Sequence, residues 1–235
     1  MAMTRWGLRL FEGSRDLDLA LSIDKTFVTD ENPNGLGLFH LVNQHDLNAP
    51  LVALLHYQTA EHQEAIAKYV VEIRTKLDTG LGKRLINYWR AKESEYNGKY
   101  RVIIVGALLM RTGAKIQESD MQHLRELVPQ VSCNYITSSV PESDRGFREP
   151  GRAQFLAALE NYKPGEPRNF EEPSCWQCGK VQADIGKALR SCGRCKHPWY
   201  CDKECQKAHW KIHKPACQAH PKIQTLVEEI FGASA

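Results

Sequence analysis

The sequence predicts a mainly α chain of two unequal parts, a helical bundle followed by a small cysteine-rich module with short β knuckles and helices. Three observations lead there. The first 160 residues carry apolar side chains at helical spacing. Seven of the eight cysteines fall after residue 170. A chain of 235 residues holds one core of ordinary size and a satellite, which is too little for two full catalytic domains.

Taken in order, the helices have recognisable boundaries. Leu17, Leu19, Ala20, Leu21 and Ile23 follow a Ser14/Asp16 capping signal. Ile66, Tyr69, Val70, Ile73 and Leu77 follow Thr59, and Leu81, Leu85, Ile86 and Trp89 come after a break at Gly80. The run from Tyr100 to Met110 is apolar throughout and ends at Gly113, and Met121, Leu124, Leu127 and Val128 form a shorter stripe. The stretch 129–150, rich in Ser, Pro and Gly, reads as a loop, and Phe155, Leu156, Ala158 and Leu159 mark one more helix. These signals predict a bundle of about five or six helices over 1–160. Residues 161–173, with three prolines, read as an extended linker, 174–218 as the cysteine-rich module and 219–235 as an amphipathic helix.

Composition narrows the function classes. Apolar residues make up 42% and charged residues 25%, a globular balance. Arg5 and Arg9 interrupt the N-terminal apolar residues, and no apolar run reaches a membrane span, so a soluble, intracellular protein is expected, nuclear or cytoplasmic. In a reducing compartment clustered thiols serve metal binding in preference to disulfides. Charge is uneven: between Pro173 and Lys222 ten Lys and Arg face three acids, a surplus of seven.

The cysteine spacing is Cys175-x2-Cys178-x13-Cys192-x2-Cys195-x5-Cys201-x3-Cys205-x7-His213-x3-Cys217. Eight sulfur or imidazole ligands supply two closed tetrahedral zinc sites. Two cysteines three apart let a tight turn aim both sulfurs at one cation, with Gly179 and Gly193 as permissive neighbours. Cys201/Cys205 and His213/Cys217 are four apart, one face of a helix. Closed sites leave no position for a reactive water, so both zinc ions are expected to be structural, with folding coupled to metal uptake. Filled with two divalent ions against seven thiolates, the surplus of seven falls to about four. Spacing alone leaves open whether the pairs are used sequentially or alternately. His209 competes with His213 as a ligand and otherwise reads as a solvated histidine, His197 and His220 read as bystanders, and Cys133 as a free thiol.

The tail Tyr200-Cys201-x3-Cys205-Gln206, then Trp210-x2-His213-x3-Cys217, preceded by two Cys-x2-Cys pairs, resembles the MYND zinc finger family. The resemblance implies alternate pairing: Cys175, Cys178, Cys201 and Cys205 on one zinc, Cys192, Cys195, His213 and Cys217 on the other. It also implies an adaptor that binds a proline-containing peptide of a partner protein, at Gln206 and Trp210. An indole offers a flat face for a proline ring, and an amide can bond an extended backbone. The other reading of Trp210 is packing over the zinc layer. The 13-residue gap after Cys178 is longer than is common in the family and is expected to form a surface excursion.

Rival readings have less behind them. Lysines and arginines interleaved with Trp199, Tyr200 and Trp210 suit nucleic acid, but a solvated helix gives the same pattern, and no finger-type recognition helix is evident. Some MYND proteins are SET-domain methyltransferases, yet the asparagine-histidine motif of SET is not found upstream, so no enzyme is expected. An enzyme with an unrecognised active site in the helical part is the remaining alternative. Gly35-Leu-Gly37 and Gly80-Leu-Gly-Lys83 each lack a residue that a dinucleotide or phosphate loop requires and read as turns. His40, His45, His56 and His62 lack metal spacing. Trp6-Gly7-x3-Phe11 and the following helix resemble weakly, over residues 5 to about 130, an uncharacterised domain that precedes MYND fingers in filamentous fungal proteins.

Overall fold

Helix α4, Gly98–Thr112, is apolar on nearly every side and almost wholly buried, which makes it the axis of the helical body. The computed structural model describes residues 7–27, 35–42, 59–134 and 147–218. Around α4 pack α1 (Ser14–Asp24), α2 (Ala60–Lys76), α3 (Gly82–Arg90) and α5 (Glu118–Leu127). Helix α6 (Gly151–Asn161) lies against α5. Ile103, Ile104 and Leu108 of α4 meet Ile23, Leu85, Ile86, Leu124 and Phe155 in one core. Burying each such side chain contributes roughly 1.5–3 kcal/mol.

Among the long helices of the body that are described, one has a side-chain N-cap. The Thr59 hydroxyl accepts the N–H of His62 at 3.2 Å and caps α2. Gly80, at φ 104, takes a conformation costly for a side chain and sits in the wide turn Leu77–Leu81 that joins α2 to α3. Helix α1 departs from expectation, because its N-cap is Gly13 and no side chain caps it. Asp16 is instead fully buried, accepting the Phe11 N–H at 3.0 Å and the Tyr100 hydroxyl at 2.8 Å. A long-range partner therefore claims the carboxylate that looked like a cap.

Other polar groups tie helices together. Asp120, 1% exposed, accepts from Lys83 at 2.7 Å and from Arg90 at 2.6 Å, joining α5 to α3. Lys83 thus has a structural partner; of the expected turn Gly80-Leu-Gly-Lys83, Gly80 and Leu81 lie in the wide turn, and Gly82 and Lys83 open α3. Gly35 and Gly37 also form a turn, closed by the Tyr69 hydroxyl donating to the Gly37 carbonyl at 3.1 Å. Strand β1 (Cys133–Asn134) pairs in parallel with β2 (Phe147–Arg148), so part of the expected 129–150 loop is a short β pair.

The proline-rich stretch 161–173 is bound to the body along its length. The Gly165 N–H donates to the Gly113 carbonyl at 2.8 Å and the Arg168 N–H to the Met110 carbonyl at 2.9 Å. Phe170, 2% exposed, packs on Phe155 and Phe11 with ring centroids 6.2 Å apart in both pairs. The helix expected over 219–235 lies outside the described residues, as do Trp6, His45, His56, His220 and the side chain of Cys133. Among the described residues, no helix is long and apolar enough to cross a membrane.

Candidate metal centres and the exposed face of the finger helix

The two Cys-x2-Cys turns are built alike. In the first, the Gly179 N–H donates to the Cys175 carbonyl at 2.8 Å, and the Cys175 N–H to the Lys180 carbonyl at 2.9 Å. In the second, the Lys196 N–H donates to the Cys192 carbonyl at 2.9 Å, and the Cys192 N–H to the Pro198 carbonyl at 2.8 Å. In both, the residue after the second cysteine is left-handed, Gly179 at φ 75 and Lys196 at φ 62. The expected role of Gly193 in the second turn therefore falls to Lys196.

Strands deliver the remaining ligands. β3 (Arg190–Ser191) pairs antiparallel with β4 (Trp199–Tyr200), and the Trp176 N–H donates to the Trp199 carbonyl at 2.9 Å. The first knuckle thus leans on β4, which ends where Cys201 begins. Helix α8 (Lys203–His213) starts at Asp202, whose carboxylate accepts the Cys205 N–H at 2.9 Å. The turn Lys214–Ala216, containing Pro215, then brings Cys217 back toward His213.

This framework sorts the eight predicted ligands into two groups, Cys175/Cys178/Cys201/Cys205 and Cys192/Cys195/His213/Cys217. Within each group the ligand atoms all lie within 4.8 Å of one another. Zinc–sulfur bonds of about 2.3 Å give a tetrahedron with edges of about 3.8 Å. The observed Sγ separations are 3.5 Å for Cys178–Cys201, 4.0 Å for Cys178–Cys205 and 3.9 Å for Cys192–Cys217. Cys195 Sγ lies 3.5 Å from His213 Nε2. The donor sets fit two structural zinc ions, and the alternate pairing that spacing left open is the one the fold assembles. The seven described cysteines form no disulfide.

Crowding pushes the thiols of each cluster apart in acidity. Burial, then the charges of Cys175 and Cys178, push the Cys205 thiol up to about 12. Burial and hydrogen bonds to Cys192 and Cys195 push Cys217 up to about 11. Burial also opposes ionisation of Cys192, yet the backbone N–H groups of Cys195 and Arg194, with the His213 and Cys195 side chains, bring it down to about 6. In the second cluster the Cys192 thiolate forms readily, and Cys217 resists. A divalent ion removes that resistance, so loading expels protons.

His209 lies outside both ligand groups, and it is not the solvated histidine that the sequence suggested. It is 7% exposed, with Nδ1 3.0 Å from the Tyr200 hydroxyl and its ring stacked on His213 at 10° and 6.1 Å. Burial, then His213, lowers its pKa, and burial beside the cysteines raises that of Tyr200. Both therefore stay neutral, and they share one hydrogen bond whose direction the imidazole tautomer sets. Sharing a helical face with His213 was the one signal that pointed His209 inward. Trp176 packs edge-on to His197 and His209, at 5.2 and 5.9 Å, so His197 joins the packing around the first knuckle.

Trp210 packs on the zinc layer, as one of its two readings had it, and keeps part of its surface open. Its ring meets His213 edge-on at 5.7 Å, while 37% of the residue stays exposed. Gln206, one turn earlier on α8, is half-buried. The gap after Cys178 is only partly a surface excursion. Val181 is 1% exposed, and α7 (Gln182–Ile185) carries Asp184, which receives two bonds from Arg168, at 2.6 and 3.0 Å, and one from the Val181 N–H at 3.0 Å. Against burial, which would raise it, Arg168 and the Val181 N–H hold the Asp184 carboxyl below its ordinary range.

Comparison with known proteins agrees with this geometry. The family described as MYND finger matches residues 175–217. Histone-lysine N-methyltransferase ASHR1 of Arabidopsis thaliana is 31% identical over 87 residues, which cover 32% of this chain and 17% of that protein. N-lysine methyltransferase SMYD2-A of Danio rerio is 31% identical over 87 residues, 33% of this chain and 20% of that one. SET domain-containing protein 14 of Caenorhabditis elegans is 40% identical over 52 residues, 22% of this chain and 11% of its own. The chain thus spans a fifth or less of these relatives. No solved structure matches it. Ligand spacing, the two assembled clusters and the family match agree that residues 175–217 form a two-zinc finger of the MYND type.

Proposed function

We propose that the chain is a non-enzymatic adaptor whose finger binds a proline-containing segment of a partner protein, in a regulatory setting such as transcription or protein turnover, in the nucleus or cytoplasm. The observation that carries this reading is the half-exposed indole of Trp210, fixed on His213 and one helical turn from Gln206. A fixed apolar face beside an amide suits a peptide whose prolines lack N–H groups. Lys203, Lys207 and Lys211 on the same helix favour acidic residues flanking the prolines.

The eight ligands enter neither chemistry nor peptide contact. They hold α8 against the knuckles, and thereby hold Trp210 in place. The methyltransferase names belong to proteins that share the finger stretch, so they lend this chain no activity of their own.

Peptide arrays probed with the zinc-loaded chain test the reading. Trp210→Ala is expected to lower binding of proline-containing peptides by about tenfold or more with two zinc ions retained, the size of a central aromatic contact. Unchanged binding at intact zinc content would remove Trp210 from the interface. Binding of duplex nucleic acid that falls steeply with salt would favour the nucleic-acid alternative.

A further inference from the structure

Among the described residues, a set of contacts between the body and the finger gathers around the first knuckle, which carries Cys175 and Cys178. A Cβ added at Gly179, next to Cys178, would lie 1.8 Å from the Ala153 carbonyl oxygen and 2.6 Å from the Gln154 nitrogen. The backbone of the first knuckle therefore rests directly on helix α6. Gln154, 1% exposed, donates to the Glu172 carbonyl at 3.2 Å, three residues before Cys175. An Arg9 guanidinium nitrogen donates to the Glu171 carbonyl. From the body side, Arg168 grips Asp184 with side chains 10% and 2% exposed, and Phe170 is rooted in the core between Phe11 and Phe155. Ser174, 2% exposed, pairs with Val181 and closes the finger's entry.

Each of these contacts bears on the chain around Cys175 and Cys178. Of the second cluster, Cys192 and Cys195 hang from the β3–β4 hairpin, and His213 and Cys217 from the end of α8.

We propose that the first zinc cluster, Cys175/Cys178/Cys201/Cys205, is a clamp that couples the finger to the helical body, while the second cluster acts within the finger alone. Zinc at the first cluster fixes the knuckle whose backbone supports α6 and whose entry strand continues from Phe170. Its loss frees that knuckle and loosens α6 and the segment 163–173. Coupling between two sites is reciprocal, so the body in turn tightens zinc at the first cluster. The body then also sets the direction in which α8 and Trp210 face a partner. This inference rests on the two-zinc reading, and metal counting separates a failure of that reading from a failure of the coupling.

Amide hydrogen exchange on the zinc-loaded full chain, with zinc counted by native mass spectrometry, tests the clamp. Cys178→Ser is expected to raise exchange across α6 and 163–170 by about tenfold or more, and Cys195→Ser to leave those amides unchanged. Arg168→Met keeps all eight ligands and two ions. It is expected to raise exchange in α6 and at 181–185 and to let one of the two ions leave sooner to a chelator. Equal effects of Cys178→Ser and Cys195→Ser on α6 would overturn the proposal. So would an Arg168→Met chain with two ions, unaltered exchange and unaltered zinc release. Should Cys178→Ser fail to fold, Arg168→Met decides.

Discussion

The helical body and the finger are held in shape by different forces. In the body, Phe147, Phe155, Phe170, Ile103, Ile104 and Leu108 are buried together, and the free energy comes from apolar area removed from water. In the finger, the buried set is Tyr200 and four cysteines, with the other cysteines, Trp176, Ile185 and Leu189 around them. So small an apolar set cannot offset the entropy of ordering some forty residues, and ligand bonds to zinc must supply the difference. A core spread over many side chains loses a fraction of its stability with each substitution. A core made of two ions loses a whole site at once.

The hardest way to break this comparison is to remove the metal. Chelation is expected to abolish amide protection in 175–217, since structural zinc in small fingers is worth about 10–16 kcal/mol, while α4 and α5 stay protected. A protected finger at zero zinc would end the argument. Acid acts through the same sites. Metal-bound thiolates have pKa values far below those of the free thiols, with Cys205 pushed up to about 12 and Cys217 to about 11. The ligands' contribution is therefore present at high pH and lost as pH falls through the values in the bound state. Zinc affinity should drop with pH, and calorimetry in buffers of different ionisation enthalpy should register proton release on loading.

A cavity in the body sharpens the contrast. Leu108→Ala, at a fully buried position of α4, is expected to cost about 2–5 kcal/mol in urea unfolding and to leave two zinc ions bound. Loss of both ions alongside it would mean that the two regions share one cooperative unit. The smallest effect belongs to a local cap: Thr59→Ala should cost about 1 kcal/mol by removing the bond to the His62 N–H, with the finger untouched.

Legibility differed between the regions for a related reason. The six long helices among the described residues of the body were readable, because helical periodicity and breakers such as Gly80 and Gly113 act over a few residues. Asp16 misled, because Phe11 and Tyr100 take its oxygens and a capping pattern shows neither. In the finger, ligand identity was readable because zinc demands particular atoms at short spacing. The left-handed position of the second knuckle was not, since Lys196 adopts a conformation that composition assigns to glycine. Burial of His209 depended on Tyr200, nine residues earlier on another element.

The sequence by itself determined the helices, their order and the eight ligands, since each follows from a repeat or spacing that neighbours along the chain enforce. Tertiary structure decided which ligands share a site, because the turn at Trp176 and the hairpin at Trp199 bring Cys175 beside Cys201. It also decided that the proline-rich stretch is an anchored segment rather than a free spacer. Phe170 in the core, Arg168 on Asp184 and the backbone of α6 against Gly179 occur together, and no local pattern encodes a meeting of two backbones.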